Sequence, residues 1–253
     1  MHMVSRILRS PHVAGFAGLL VLGALLELAV GRGWVNELIV ARPSDALAAI
    51  IPLHQEADLI GNFFVTLGMT AAATGIALLV GVPFGYLLYR RTVLGDAYEG
   101  WLAAAFASPL VLLYPLFLVI FGRTHQTLII MACIPGAIPI IIQTRQGLLD
   151  IRPTLINVGR SFNLTPRQMF WKIQFPAAVP NVFNGIRLGV MYTLVTVVAI
   201  EYLIDFGGLG RIVSDTYLRI QVPETYASIL FVIVVSVIMY GLFGRIEKWL
   251  RPE

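Results

Sequence analysis

Six apolar runs, each near the length of a membrane-crossing helix, leave this 253-residue chain few folds to choose from. Crossing ~30 Å of hydrocarbon takes about 20 residues of helix. Stretches of that order fall at about Val13–Val30, Phe63–Tyr89, Trp101–Phe121, Thr127–Ile142, Val182–Leu203 and Tyr226–Phe243. Lipid offers no hydrogen-bond partners to backbone N–H and C=O groups, so a single run crossing it must satisfy them internally, as a helix does. The composition agrees, with 58% hydrophobic and only 13% charged residues, against roughly 25% charged in soluble globular chains. The expected fold is therefore all-α: a polytopic transmembrane helical bundle of about six spans, forming one membrane domain over residues 1–253.

Charge placement gives this bundle an orientation. The formal net charge is +4, but the cations are spread over separate short loops and form no contiguous basic face, which argues against nucleic acid as a partner. Membrane lipid is the expected surrounding. If the first run is a retained span, Arg6 and Arg9, Arg90 and Arg91, then Arg145, Arg152, Arg160, Arg167 and Lys172, and finally Arg245, Lys248 and Arg251 share one side. Arg32, Arg42, Arg123, Arg211 and Arg219 fall on the other. Positive charge accumulates in cytoplasmic loops, so the first set and both termini are expected in the cytoplasm. Retention of the first run is expected because it exceeds the roughly 7–15 residue core of a signal peptide and carries Glu27 near its exit. Cys133 is the only cysteine, which rules out an intrachain disulfide or a cysteine metal cluster.

Two segments on the outer side exceed simple turns, Gly31–Asn62 and Ile204–Thr225. Within the first, Pro43, Ser44 and Asp45 are expected to cap a surface helix. Gly81 with Gly85, and Gly185 with Gly189, have the spacing that lets membrane helices approach closely, and packing within the chain is the favoured reading over a dimer seam. Pro83, Pro109 and Pro115 mark possible kinks. His125 and Arg123 form a short outer turn with no second histidine or cysteine near enough in sequence to make a metal site.

The exception to all this apolarity is Asn157–Pro176, NVGRSFNLTPRQMFWKIQFP. Its pattern predicts two short helices, one opened by Pro153 and Thr154, the other capped by Thr165, started by Pro166 and running to about Phe175. Pro176 and Pro180 are expected to limit its continuation. On the second helix Met169, Phe170 and Ile173 recur at helical spacing, with Arg167, Gln168 and Lys172 around them. Such a helix suits docking onto another protein.

This stretch resembles the permease subunits of ATP-binding-cassette importers, in the branch of sulfonate, taurine and nitrate permeases. Their signature opens with Glu-Ala-Ala, where this chain has Asn157, Val158 and Gly159. The glycine that follows is Asn163 here, and the closing apolar residue and Leu-Pro are Ile173 and Phe175 with Pro176. The continuation AAVPNVFNGIRLGV from Ala177 to Val190, Glu201, GGLGRIV from Gly207 to Val213, and the Pro43–Asp45 triplet look like the same branch. Asparagine tolerates positive φ better than other side chains, so Asn163 is able to keep a turn that glycine makes elsewhere.

The resemblance implies a type I importer permease in a bacterial inner membrane. It implies a second permease subunit, two cytoplasmic ATPases, an extracytoplasmic substrate-binding protein, and a small cargo such as sulfonate, taurine or nitrate. No GxxxxGK[ST] loop occurs in this chain, so ATP use falls to the ATPase partner, and no cofactor, metal or catalytic residue is expected here. A coupling segment at about 144–180 is expected to use Asn157, Gly159, Arg160, Asn163, Thr165, Arg167, Met169, Phe170 and Pro176. Met169 and Phe170 would be the inserted knobs, and Arg160, Arg167 and Lys172 would face an acidic rim. Arg187 and Glu201 are candidates for the translocation path or a gate, because ionised groups at membrane depth cost at least ~2.5 kcal/mol. About four helical turns separate them, so they do not pair. Arg187 has snorkelling to the interface as its alternative role, and Glu201 that of a solvated helix end. An ion-coupled secondary transporter would show inverted repeats or paired intramembrane carboxylates, and a membrane enzyme would show converging His, Asp or Glu groups. Neither pattern is present in the sequence.

Overall fold

The computed structural model describes residues 11–250, with side chains described for 13–246. Arg6, Arg9, Arg251 and the side chain of Lys248 lie outside the described residues, which leaves Arg245 as the described member of the charge sets at the two termini. Among the described residues all regular structure is helical. In chain order the α-helices are α1 (Pro11–Gly31), α2 (Pro43–Ala48), α3 (Ile50–Ala57), α4 (Leu59–Arg90), α5 (Thr92–Ala107), α6 (Tyr114–Phe121), α7 (His125–Leu149), α8 (Pro153–Ser161), α9 (Pro166–Met169), α10 (Phe175–Ile204), α11 (Gly208–Leu218) and α12 (Val222–Leu250). Stretches Val13–Gly31, Leu59–Arg90, His125–Leu149, Pro166–Ile204 and Val222–Ile246 are long and apolar enough to cross a membrane, and a bent pair, Thr92–Ala107 with Leu110–Phe121, is apolar enough when taken together, as a broken span or a re-entrant loop.

That bent pair makes the kink expected at Pro109, within Trp101–Phe121, a full break. Its halves meet at 84°. Ser108 is extended (φ −79°, ψ 141°), as a residue before proline is driven to be. Pro109 supplies no N–H, and the Ser108 hydroxyl turns back to the Ala104 carbonyl at 2.9 Å. One helical turn is thereby lost, and the chain restarts through the tight turn Leu110–Leu113 into α6, with Pro115 in its first turn.

The chain divides into two compact units, Met1–Ile60 with Ile212–Val232 and Gly61–Arg211 with Ile233–Glu253. In the first unit, α2 starts at Pro43 as a first-turn proline, but the triplet does not cap itself. The N-cap position falls on Arg42, whose side chain makes no capping bond. The cap arrives instead from α1, where the Glu27 carboxylate accepts from Ser44 N–H at 3.0 Å and from the Ser44 hydroxyl at 2.7 Å. Ser44 N–H is one of the donors a helix start leaves unpaired, and a carboxylate is its best acceptor. Arg42 pairs with Glu37, which holds the guanidinium above its ordinary range by hydrogen bonding and charge.

The second unit is built around α7, which packs closely against both α4 and α10. A methyl group on Gly85 would sit 2.7 Å from the Ile141 carbonyl, and one on Gly81 would press on Ile140 at 2.9 Å. On α10, a methyl on Gly185 would meet the Pro139 carbonyl at 3.0 Å and one on Gly189 the Gly136 carbonyl at 2.6 Å. Both glycine pairs are thus packing seams within the chain, both against α7. Lipid offers no hydrophobic drive to hold helices together, so van der Waals packing across these closely approached backbones has to do it. Ala73, Leu128, Met131, Ala132, Val197, Ile200 and Ile204 fill the core at one level, and Ala77, Leu88, Ala137, Ile140 and Ile141 at another.

Candidate functional site

Two constellations in the second unit draw together the sequence candidates. The first is the polar segment. Pro153 opens α8, and α8 closes on a C-terminal turn whose bonds run from Asn163 N–H to the Arg160 carbonyl (2.9 Å) and from Leu164 N–H to the Gly159 carbonyl (3.1 Å). This pair of bonds needs a left-handed residue after the helix. Asn163 supplies it at φ +49°, doing the work glycine does in the resembled signature. Thr165 then caps α9 reciprocally: Gln168 N–H donates to its hydroxyl at 3.4 Å, and its own N–H donates to Gln168 Oε1 at 3.0 Å.

Beyond α9 the helix does not stop at Pro176 or Pro180 as expected. A wide five-residue π turn, Phe170–Gln174, carries it directly into α10. Phe175 N–H bonds back to the Phe170 carbonyl, and Pro176 falls in the first turn of α10, where a missing N–H costs little. Pro180 is absorbed inside α10. The result is one continuous rod, Pro166–Ile204.

Within the segment, α8 lies against the rod at Gly159. A methyl there would come within 2.6 Å of both Met169 Sδ and Ile173 Cδ1. Met169 is therefore folded onto α8, and Phe170 is half-buried against the Tyr86 ring at 4.7 Å between centroids. The large apolar side chains left most exposed are Phe162, 76% exposed at the tip of the turn, and Trp171, 58% exposed. Asn157, Arg160 and Arg167 are exposed around them, and Pro176 is exposed at the root of α10.

The second constellation surrounds Glu201 on α10, which is 1% exposed and so is not a solvated helix end. The Thr66 hydroxyl, from α4, donates to its two oxygens at 3.0 and 2.9 Å. Gly210 N–H, in the first turn of α11, donates to Oε2 at 3.1 Å. The next donors are also taken, Leu209 N–H by the Thr66 hydroxyl at 2.8 Å and Gly208 N–H by Asn62 Oδ1 at 2.9 Å. A carboxylate here gathers the orphan donors of a helix start and meets the positive end of its dipole. The approach works only because Gly207 and Gly208 hold φ at +92° and +80° and because Gly208 has no Cβ, which would overlap the Glu201 carboxylate.

Close by, Asp205 pairs with Arg211 at 2.8 Å and with Arg123 at 3.8 Å, and the Phe206 ring lies edge to face with His125 at 4.5 Å. These ion pairs are about half exposed, so each is worth at most ~1 kcal/mol.

Arg187 lies on the same rod but in a separate place. Its guanidinium sits over the Tyr240 ring of α12 at 3.9 Å from the centroid, an arrangement that holds a cation against an apolar surface. The structure thus brings Asn157, Gly159, Arg160, Asn163, Thr165, Arg167, Met169 and Phe170 into one folded segment, and leaves Arg187 and Glu201 in distinct surroundings. Sequence reasoning missed Thr66, Asn62 and Tyr86 as partners. The visible signal was Thr66, Thr70 and Thr74, a polar stripe at four-residue spacing on an apolar helix.

A polar helical hairpin thus stands at the root of the apolar rod Pro166–Ile204, and a carboxylate-anchored Gly-Gly-Leu-Gly turn near its other end. The chain belongs to the family described as binding-protein-dependent transport system inner membrane component, whose model matches residues 57–252. It is therefore a permease of a binding-protein-dependent ATP-binding-cassette importer, from a family of membrane components that work with an ATPase and a substrate-binding protein and are not themselves enzymes.

The chain is 24% identical over 235 residues to a probable ABC transporter permease protein of Brucella melitensis, covering 89% of this chain and 96% of that one. It is 27% identical over 191 residues to the nitrate import permease protein of Synechocystis, covering 76% and 70%. It is 23% identical over 252 residues to the bicarbonate transport system permease protein of Synechocystis, covering 96% and 89%. Its fold matches that of the methionine ABC transporter MetNI in an inward-facing conformation with a TM-score of 0.67 at 22% identity, over 77% of this chain and 96% of that one.

Proposed function

We propose that this chain lines the translocation path for a small anion and is driven through its Asn157–Pro176 segment by a cytoplasmic ATPase dimer that consumes the ATP. It acts beside a second permease subunit, receives cargo from an extracytoplasmic binding protein, and has both termini in the cytoplasm. The supporting observation is the unbroken rod Pro166–Ile204, which begins in the polar hairpin and holds the buried Glu201 anchorage near its far end. From Phe175 to Glu201 the rod spans about 39 Å at ~1.5 Å per residue. A displacement of the hairpin is carried along it without a joint to absorb it.

In this reading Phe162 is the apolar contact at the tip, and Arg160, Arg167 and Lys172 meet an acidic rim. Asn157, Gly159, Asn163, Thr165 and Pro176 set the hairpin's shape. Met169 and Phe170 complete the docking face from within it. Glu201 anchors the outer turn as a gate element, and Arg187 braces the rod against Tyr240. The anion class draws support from the nitrate and bicarbonate permeases among the relatives.

The test is co-purification from the native membrane in mild detergent. Wild type should bring down a cassette ATPase in stoichiometric amount, and Phe162→Asp should lose it while still inserting. An ATPase retained equally by Phe162→Asp and by Met169→Asp with Phe170→Asp would remove the segment from the docking role. Uptake by proteoliposomes carrying the whole complex, with nitrate, bicarbonate and taurine in turn, tests the cargo class.

A further inference from the structure

We propose that the cavity between the last turn of α4 and the start of the Pro166–Ile204 rod binds a phosphate-bearing anion, either the headgroup of an anionic phospholipid or a free phosphate species. The cavity has a volume of about 780 Å³, and its walls include Tyr86, Tyr89, Arg90, Arg167, Trp171 and Gln174. Two guanidinium groups thus border it, and no carboxylate does.

That imbalance is local. The nearby carboxylates at the start of α5, Asp96 and Glu99, are both held by Arg145, at 2.7 and 2.9 Å. Among the described residues no carboxylate pairs with Arg90 or Arg167. Two cations beside a partly enclosed space repel one another and favour an anion between them. Guanidinium is the side chain best suited to phosphate, because its planar fork matches two phosphate oxygens at once.

The neutral groups point to the same chemistry. Tyr89 accepts a hydrogen bond from Gln174 Nε2 at 3.3 Å, which leaves its own O–H to donate. Thr92 and Trp171 add a hydroxyl and an indole N–H to the walls. Tyr86 lies under Arg90 at 6.0 Å and against Phe170 at 4.7 Å, so one wall is a pair of tilted aromatic rings beside the cation. Arginine, tyrosine and tryptophan at the end of a long apolar helix are the residues of the headgroup layer, and basic pockets between spans are where anionic headgroups are held. Phe162, the exposed tip of the hairpin, is not among the walls, whereas Arg167, Met169 and Phe170 are, so the site borders the proposed ATPase contact and shares Arg167 with it, and binding is measured without the ATPase.

Binding is read on the full-length chain purified without its ATPase, stripped of lipid and titrated in native mass spectrometry with phosphatidylglycerol, phosphatidylcholine and inorganic phosphate. Wild type should retain phosphatidylglycerol at least tenfold more tightly than phosphatidylcholine, or should bind inorganic phosphate in its place. The first result assigns the lipid source and the second the free ion. Arg90→Gln with Arg167→Gln should abolish that preference, and Arg90→Gln alone, the milder change, should weaken it at least threefold. Arg90→Lys with Arg167→Lys, which keeps the charge and loses the fork, should fall between. Equal retention of both lipids without phosphate binding, or a preference untouched by the folded glutamine variants, overturns the proposal.

Discussion

Replacing Gly208 with alanine should cost far more than a methyl group on a short outer helix would suggest, and the excess should depend on Glu201. At φ +80° an alanine is strained by roughly 1 kcal/mol. Its Cβ would also overlap the Glu201 carboxylate. That carboxylate is the free end of a side chain, so it can move, but only by giving up the Thr66 hydroxyl and the Gly210 N–H. Hydrogen bonds to a charged group contribute about 1.5–3 kcal/mol each, and buried donors left behind bear their own cost. Allowing for partial rearrangement, loss of the clamp is worth ~3 kcal/mol and the whole substitution ~4 kcal/mol. In a Glu201→Ala background the carboxylate is gone and only the backbone strain of ~1 kcal/mol remains. The four proteins of this cycle should therefore show a coupling of about 3 kcal/mol. Reversible unfolding in mixed micelles, with the loss of helical circular dichroism as the signal, measures it. Additivity within ~0.5 kcal/mol would mean that Gly208 and Glu201 do not share a clamp, and the reasoning would fail.

Other expectations follow from the same contacts. Gly85→Val should push α4 off α7, because its Cβ meets a backbone carbonyl that cannot rotate away; a loss of about 2–3 kcal/mol in the same unfolding assay is expected. Asn163→Gly should leave stability unchanged or raise it by ~0.5 kcal/mol, and Asn163→Val should lower it by ~1–2 kcal/mol, since a β-branched residue is disfavoured at φ +49°. Glu27→Ala removes the acceptor for both Ser44 donors and should loosen α2 by about 1 kcal/mol, read as faster amide exchange at Ser44. Arg145→Ala should cost no more than ~1 kcal/mol despite breaking two ion pairs, because Asp96 and Glu99 are solvent-exposed.

The spans, the hairpin and its turn were legible in the sequence because each rests on a local rule. Apolar length marks a membrane helix, Thr165 followed by Pro166 marks a helix start, and an asparagine where the resembled signature has glycine suits a left-handed turn. The failures have the opposite cause. Proline has two outcomes, and the local sequence does not say which applies. Pro109 breaks its helix where a kink is expected, whereas Pro176, expected to limit a helix, is absorbed because the π turn before it re-pairs the backbone. The partners of Glu201 were illegible because Thr66 is 135 residues away in sequence. In the sequence Glu27 reads only as an unlikely neighbour of a cleavage site, because its role as the cap of α2 crosses 17 residues.

The placement of rigid and soft elements in the second unit bears on what the permease can transmit. The π turn widens the rod where the hairpin joins it, yet the Phe170, Trp171 and Phe175 rings pack on one another there, with centroids 5.2–5.9 Å apart. Above it, Gly185 and Gly189 press α10 onto α7, and α7 in turn meets Gly81 and Gly85 of α4. Backbone packing of this kind slides poorly, because each glycine faces a carbonyl or a branched side chain at contact distance. Positive-φ residues on the other hand cluster at Asp205, Gly207 and Gly208, immediately beyond the rod. A force applied at the hairpin therefore meets no compliant joint until it has passed Glu201. The first place able to change its dihedrals is the turn whose donors that carboxylate holds, so an outer gate that moves at all should turn at Asp205–Gly208 and leave the glycine seams intact.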